Sequence, residues 1–161
     1  MLAPVIAAGD FKMPVDALSG PQTAVTVATF LDLREFNFLH DFFRSAENTR
    51  PQFSIVDLTS ACIALIRDAA QSSDRLILRA RCDIANRVVE RRMQVGLWPE
   101  EFAFLRIIQR SPANRPPYPR FDLGDLTTAC VATIMEMDHA TDSIRAAAQH
   151  RLAAFSRAGL P

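Results

Sequence analysis

Apolar residues recur along most of this chain at the three- and four-residue spacing of an amphipathic helix. Phe36, Leu39 and Phe43 follow that spacing in one segment, and Leu58 and Cys62 continue it in the next. Residues at these intervals lie on one face of a helix, where they can be buried together. The pattern therefore predicts a first helix after residue 32 and a second helix after residue 54.

A third apolar stripe follows the second. Its members are Leu78, Cys82, Ala85, Val89 and Met93. This spacing predicts one long helix that begins near residue 73 and continues to about residue 93. A neighbouring stripe of apolar positions on the same segment favours a central place for this helix in the core.

The pattern then returns in the second half of the chain. The phrase DLTSACIALI (57–66) recurs as DLTTACVATI (125–134), EFNFL (35–39) recurs as EFAFL (101–105), and RSAENTRP (44–51) is echoed by RSPANRPP (110–117). Internal matches at a fixed distance indicate a repeated structural unit. We therefore predict an all-α fold, a tandem duplication of a three-helix unit packed as one pseudo-symmetric helical domain. Its repeats would span 31–94 and 95–161, after an N-terminal segment (1–30) that is partly irregular and contains a candidate short helix. The threonine and valine content of PQTAVTVATFL (21–31) makes a strand the alternative to that helix.

The residues before the predicted helices are suited to cap them. Three pairs have the spacing of a capping box: Asp32 with Glu35, Ser54 with Asp57, and Asp122 with Asp125. In such a pair the first side chain accepts a backbone N–H of the first turn, and the second side chain returns the bond. Pro99 is placed to be the first residue of a helix. The repeated phrase thus opens the second helix of each copy.

The repeated phrase contains small residues at helical spacing. Ala61 and Cys62 in the first copy are matched by Ala129 and Cys130 in the second. Small side chains let two helices approach closely. We expect the two second helices to pack against each other at this phrase, which gives its repetition an architectural reason.

Composition limits the classes of function. The chain has 161 residues, a formal net charge of zero and 49% hydrophobic residues, an ordinary globular balance. Zero net charge supplies no overall attraction to nucleic acid or to anionic lipid. The sequence contains no apolar run long enough for a transmembrane helix, and its first residues lack the basic region of a signal peptide. We expect a cytoplasmic protein that has no membrane partner, and the rich use of arginine and alanine favours a bacterial origin.

Metal and catalytic signatures are weak. In the matched copies, Cys62 corresponds to Cys130, and Cys82 corresponds to His150, which together would make a Cys3His set of zinc ligands. The short cysteine pairs of structural zinc sites are absent, and a free cysteine is commonly buried as a small apolar residue. The sequence also lacks phosphate-binding glycine loops and a nucleophile motif. We therefore expect no metal, no cofactor and no enzymatic activity.

Arginines are the most distinctive local charge feature. The residues proposed to bind a macromolecule are Arg75, Arg79, Arg87, Arg91, Arg92, Arg115, Arg120 and Trp98. A cluster of arginines can form a surface for nucleic acid or for an acidic protein, and it can also be a solvated helix face. We predict a regulatory or adaptor protein that binds another protein or a second copy of itself. DNA binding is the alternative.

A resemblance to small DNA-binding repressors supports that alternative. The segment PQFSIVDLTSACIALIRDAAQSSDR, a short alternating stretch followed by two helices, resembles the ribbon–helix–helix pattern. A duplicated chain of this kind would supply both halves of the usual dimer and bind DNA through a paired ribbon. In the second copy the corresponding strand would be YPRFDLGD (118–125), which carries two aspartates.

Overall fold

The described part of this protein consists of helices and one small sheet. The computed structural model describes residues 26–69, 73–88, 91–116 and 120–158, and within these ranges it contains six α-helices and two β-strands. In chain order these elements are β1 (Val27–Asp32), α1 (Leu33–Arg44), α2 (Ile55–Asp68), α3 (Ser73–Asp83), β2 (Arg92–Leu97), α4 (Pro99–Gln109), α5 (Leu123–Met135) and α6 (Ala140–Arg157).

The prediction of an all-α tandem duplication of three-helix units is wrong. Strands β1 and β2 pair in antiparallel fashion along their whole length, with Val27 opposite Leu97 and Asp32 opposite Arg92. One sheet is therefore built from both halves of the chain, so neither half is a separate three-helix unit. The described residues form a mixed structure of helices and a sheet, and they show no tandem duplication.

Strand β2 occupies residues that the apolar spacing assigned to a long third helix. Helix α3 ends at Asp83, and Met93 lies in the strand. Val95 and Leu97 are buried on alternate positions, which is the period of a strand. An interval of four residues, such as that from Val89 to Met93 in the sequence, equals two strand periods and is close to one helical turn, so the end of the stripe was compatible with either structure.

The predicted N-terminal segment and the predicted boundaries of the repeats also disagree with the positions of the strands. Residues 27–30 lie in β1, which agrees with the alternative of a strand and not with the candidate short helix, whereas residues 1–25 lie outside the described residues. The boundaries after residues 30 and 94 fall inside β1 and β2.

The strand segments proposed from the ribbon–helix–helix resemblance are also misplaced. Residues 51–54 are loop and 55–56 begin α2, and residues 123–125 begin α5.

Helices α2 and α5 form the centre of the core and pack against each other, which confirms the predicted contact between the two second helices. Cys62 on α2 and Cys130 on α5 are completely buried. Burial raises the pKa of both thiols, and the neighbouring Cys130 raises the pKa of Cys62 further. Helix α2 also packs against β2 and α6, whereas α5 packs against β1 and α3. Each central helix thus contacts the strand and the last helix of the other half.

Two of the three predicted capping boxes are confirmed. The backbone N–H of Asp57 donates to Ser54 Oγ, and the N–H of Asp125 donates to Asp122 Oδ1, at 3.2 and 2.7 Å. In both boxes the first-turn carboxylate accepts the N–H of the capping residue in return. Asp32 precedes α1 but makes no side-chain cap, because its carboxylate lies in ion pairs.

The repeated phrase contacts the strand–helix junction of the opposite half. Ser60 Oγ on α2 accepts the backbone N–H of Trp98, which precedes α4, at 3.1 Å. Thr128 Oγ1 on α5 accepts the N–H of Asp32, which precedes α1, at 3.2 Å. Both N–H groups are buried and would otherwise lack a partner at these helix starts. The matched hydroxyls therefore tie the two halves together.

Replacing Thr128 with valine should lower the free energy of unfolding by about 1.5 kcal/mol, because the buried N–H of Asp32 loses its acceptor while side-chain volume is kept. Urea unfolding followed by circular dichroism measures the change. Thr141→Val on α6 is the matched control and should change stability by less than about 0.5 kcal/mol. Equal losses in the two variants would contradict the role assigned to Thr128.

Candidate macromolecule-binding site

The residues predicted to bind a macromolecule fall into three groups in the structure. The arginines engaged in ion pairs are Arg79, Arg87 and Arg92. The exposed arginines are Arg75, Arg91, Arg115 and Arg120. Trp98 is buried. Half of the predicted set is therefore paired with carboxylates or buried in the fold, and the other half lies at the surface.

Arg92 at the start of β2 joins three carboxylates. Its Nε donates to Asp32 Oδ1 at 3.4 Å, its Nη1 donates to Asp122 Oδ2 at 3.1 Å, and its Nη2 donates to Asp125. Burial by itself would lower the pKa of Arg92, but the bond and charge of Asp122, with the charges of Asp125 and Asp32, raise that pKa. Gly124 leaves room for this guanidinium, since an added Cβ would lie 3.1 Å from Arg92 Nη1. Arg92 therefore connects the sheet to the start of α5.

Arg87, before β2, neutralises a buried glutamate on α1. Its Nη1 donates to Glu35 Oε2 at 2.8 Å and also lies 2.7 Å from Oε1. Glu35 is completely buried, and Asp32 Oδ2 lies 3.6 Å from the same nitrogen. A buried carboxylate needs such a partner because desolvation of an unpaired charge is very unfavourable. Arg87 is thus part of the architecture of this region.

Arg79 on α3 is also paired. Its Nε lies 2.9 Å from Asp83 Oδ2, and its Nη2 donates to Glu136, which follows α5. The side chains of Arg79 and Glu136 are 36% and 54% exposed, so solvent screens this pair.

Trp98 belongs to a second buried charged cluster. Its indole Nε1 donates to Asp57 Oδ1 at 3.1 Å, and the guanidinium of Arg151 lies 4.7 Å from its ring centroid. Arg151 also pairs with Glu101, which is completely buried on α4. Burial raises the pKa of Glu101, while Arg151 and Arg67 oppose that rise. Because the indole is covered by the fold, it does not offer a flat aromatic surface to a partner.

An open cleft lies between the first turns of α1 and the segment that leads into β2. It has a volume of about 550 Å3, and its lining residues are Asp32, Leu33, Arg34, Asn37, Arg87, Val88 and Arg91. The N–H of Leu33 donates to the backbone oxygen of Arg91 at 3.0 Å, which fixes one wall against the other. We call this feature the arginine cleft. It is a concave surface with three guanidinium groups, the exposed side chain of Val88 and the partly buried side chain of Leu33.

The four residues that were considered as zinc ligands do not form one site. Cys62 and Cys130 are buried between α2 and α5, whereas Cys82 on α3 and His150 on α6 are exposed. Among the described residues, no three side chains of His, Cys, Asp or Glu are grouped to hold a metal ion.

Of the seven residues that line the arginine cleft, Arg87 and Arg91 were predicted as site residues, and sequence reasoning missed the other five: Asp32, Leu33, Arg34, Asn37 and Val88. Arg34 and Asn37 lie outside the arginine-rich segment, and no local pattern marks them. They meet Arg91 only because β1 pairs with β2.

No helix in the described ranges has both the length and the apolar character needed to cross a membrane. The chain matches no protein-family model, no curated protein and no solved structure.

Proposed function

We propose that this chain is a non-enzymatic regulatory or adaptor protein of the cytoplasm that acts by binding another protein. The observation that carries this proposal is the internal neutralisation of its arginine-rich segment. Arg79, Arg87 and Arg92 each face one or more carboxylates within the fold. What remains for a partner is a mixed surface of separate arginines and apolar side chains.

Exposed apolar side chains support a protein partner. Within the part of the chain that the structure describes, the large apolar residues most open to solvent are Phe30, Leu78, Val88, Ile107 and Met137. Leu78 and Val88 are 59% and 90% exposed, and each lies beside arginines in an open cleft. Interfaces between proteins combine apolar side chains with arginine, whereas DNA interfaces depend mainly on phosphate contacts.

The carboxylates at the helix starts further disfavour DNA. Asp122 and Asp125 cap α5, and the side chain of Asp122 is 59% exposed. Helix N-termini are places where proteins commonly contact phosphates, and a carboxylate there repels them. This arrangement favours a partner other than DNA beside the sheet.

Two experiments test the proposed function. The protein should give no mobility shift with duplex DNA at low salt, about 50 mM, at micromolar protein concentration. A photo-crosslinking amino acid at position 78 or 88 should capture another protein, or a second copy of the chain, in the cells that produce it. The same amino acid in place of the exposed Ala153 on α6 serves as the control. A salt-dependent DNA shift, lost in a variant with glutamine at the four exposed arginines, would contradict the proposal.

DNA binding is retained as a second candidate because of one observation. An antiparallel two-stranded ribbon, each strand of which is followed by helices, is similar in arrangement to the ribbon that some repressors place in a DNA groove. Ala28 and Phe30 of β1 are exposed on this ribbon. Replacing Phe30 with aspartate would abolish DNA binding if the ribbon carries it, and would leave a partner at the arginine cleft unaffected.

A further inference from the structure

We infer that the arginine cleft binds acidic side chains of another protein next to one apolar side chain of that protein. This inference rests on the proposed protein-binding function and identifies the chemistry of the partner. The cleft is large enough for a few side chains, and it is open on one side.

Two arginines of the cleft are available to a ligand. Arg34 on α1 and Arg91 before β2 are exposed, and within the described residues neither is joined to a carboxylate by an ion pair. Asn37, one turn after Arg34, is also exposed and adds an amide donor. Two guanidinium groups and an amide on one concave surface complement carboxylates, which accept such bonds in bidentate fashion.

The third arginine of the cleft has a different role. Arg87 is held by Glu35 and Asp32, so its position is fixed before any ligand arrives. Its charge is largely balanced by these buried carboxylates. The free charge of the cleft therefore comes from Arg34 and Arg91, and it suits one or two carboxylates better than the long phosphate array of a nucleic acid.

The apolar part of the cleft indicates the second property of the ligand, which is an apolar group. Val88 is 90% exposed and lies between Arg87 and Arg91, and Leu33 forms part of the same lining. Burial of these side chains stabilises a complex only if the partner supplies an apolar group. An acidic peptide segment with a neighbouring leucine has both properties.

The test is an NMR titration of the full chain labelled with nitrogen-15. The probe is the acetylated and amidated peptide GSEELEGS, in which only side chains carry charge, and the control peptide is its neutral counterpart GSQQLQGS. The acidic peptide should shift the Nε–H signals of Arg34 and Arg91 and the backbone signal of Val88 at up to millimolar concentration. The neutral peptide should bind roughly tenfold more weakly or not at all.

Substitutions test whether the acidic peptide binds at the arginine cleft. Arg34→Gln with Arg91→Gln should weaken binding of the acidic peptide roughly tenfold or more, and Val88→Glu should weaken it by repulsion. The matched control replaces the exposed Arg110 and Arg157, which are outside the cleft lining, and should leave binding unchanged. Circular dichroism verifies that each variant is folded.

The other possible results of these experiments either overturn the inference about the cleft or leave the proposed function standing without it. Absence of shifts with the acidic peptide, equal shifts with the neutral peptide, or equal weakening by the control variant would overturn the inference. Inorganic phosphate that reproduces the shifts at equal affinity would also overturn it, since the cleft would then be a simple anion site. If the peptide fails while crosslinking from position 78 still captures a protein, the proposed function stands without this cleft. Only DNA binding, or the absence of captured protein at both positions, would remove the proposed function.

Discussion

Replacing Arg151 with methionine is expected to lower the free energy of unfolding by about 3 kcal/mol at neutral pH. Arg151 is the main partner of Glu101, whose side chain is completely buried, and only 17% of the Arg151 side chain is exposed. The substitution therefore leaves a desolvated carboxylate. Arg67 remains 3.8 Å from Glu101 Oε2, so the loss should lie at the lower end of the range for a broken buried pair.

The same variant should show a defined pH dependence in urea unfolding. Burial already raises the pKa of Glu101 above its ordinary value of 4.5, and Arg151 is the strongest influence in the opposite direction. Without Arg151 the pKa of Glu101 in the folded state rises further. A raised folded-state pKa means that stability is lost as pH rises through that pKa, so the deficit should be smallest near pH 4.5 and grow toward neutrality.

Two further variants check this interpretation. Arg145→Met, also on α6, removes an exposed ion pair with Asp142 and should cost less than about 1 kcal/mol. Adding Glu101→Gln to Arg151→Met should remove the growth of the deficit with pH. A deficit that stays constant from pH 4.5 to neutrality in the single variant would show that lost packing of Arg151, and not the unpaired carboxylate, causes the destabilisation.

Replacing Asn48 with alanine is expected to lower the free energy of unfolding by about 3 kcal/mol. Its Nδ2 donates to the backbone oxygens of Phe43 and Phe53 at 3.0 and 2.9 Å, and its Oδ1 accepts the N–H of Phe53 at 2.8 Å. Asn48 is only 1% exposed, so water cannot replace these bonds without opening the loop between α1 and α2. Chemical unfolding measures the loss.

Asn114→Ala should give a similar result in the loop between α4 and α5. That side chain bonds to Gln109 and Phe121 in the same pattern. Asn37→Ala on α1 is the control, because Asn37 is exposed, and it should change stability by less than about 0.5 kcal/mol. Asn48→Asp should be destabilising as well, since a carboxylate would face two carbonyl oxygens. If Asn48→Ala cost no more than Asn37→Ala, the amide would not organise the loop.

Local signals in the sequence predicted several elements well. The boxes formed by Ser54 with Asp57 and by Asp122 with Asp125 have the predicted geometry, and Pro99 is the first residue of α4. These features depend on residues three positions apart, so a short window of sequence contains the whole interaction. The contact between the two central helices was also predictable, because the small residues of the repeated phrase favour close packing.

Strand β2 was not predicted, and β1 was only an alternative to a helix, because each strand is short and borders a helix without a separating turn. Leu33 begins α1 directly after β1, and only Trp98 separates β2 from α4. In the sequence, each strand offers at most six residues in which apolar and polar positions can alternate, and this is a weak signal beside the longer helical stripes. A two-stranded ribbon gains its stability from packing against other elements, which no local pattern records.

Where the central helices begin, how they are capped and which of their faces are apolar could be read from short stretches of sequence, since these properties arise between near neighbours. The contacts of the repeated phrase and the roles of the arginines depend on residues that are distant in sequence and meet only in the folded chain. Pairing of β1 with β2 places Arg92 beside Asp32, 60 positions earlier, and it brings Arg91 against the start of α1. Once the strands pair, burial of Asp32 and Glu35 requires neighbouring guanidinium groups, so Arg87 and Arg92 are used inside the fold. Arg34 and Arg91 remain exposed at the arginine cleft for the same geometric reason.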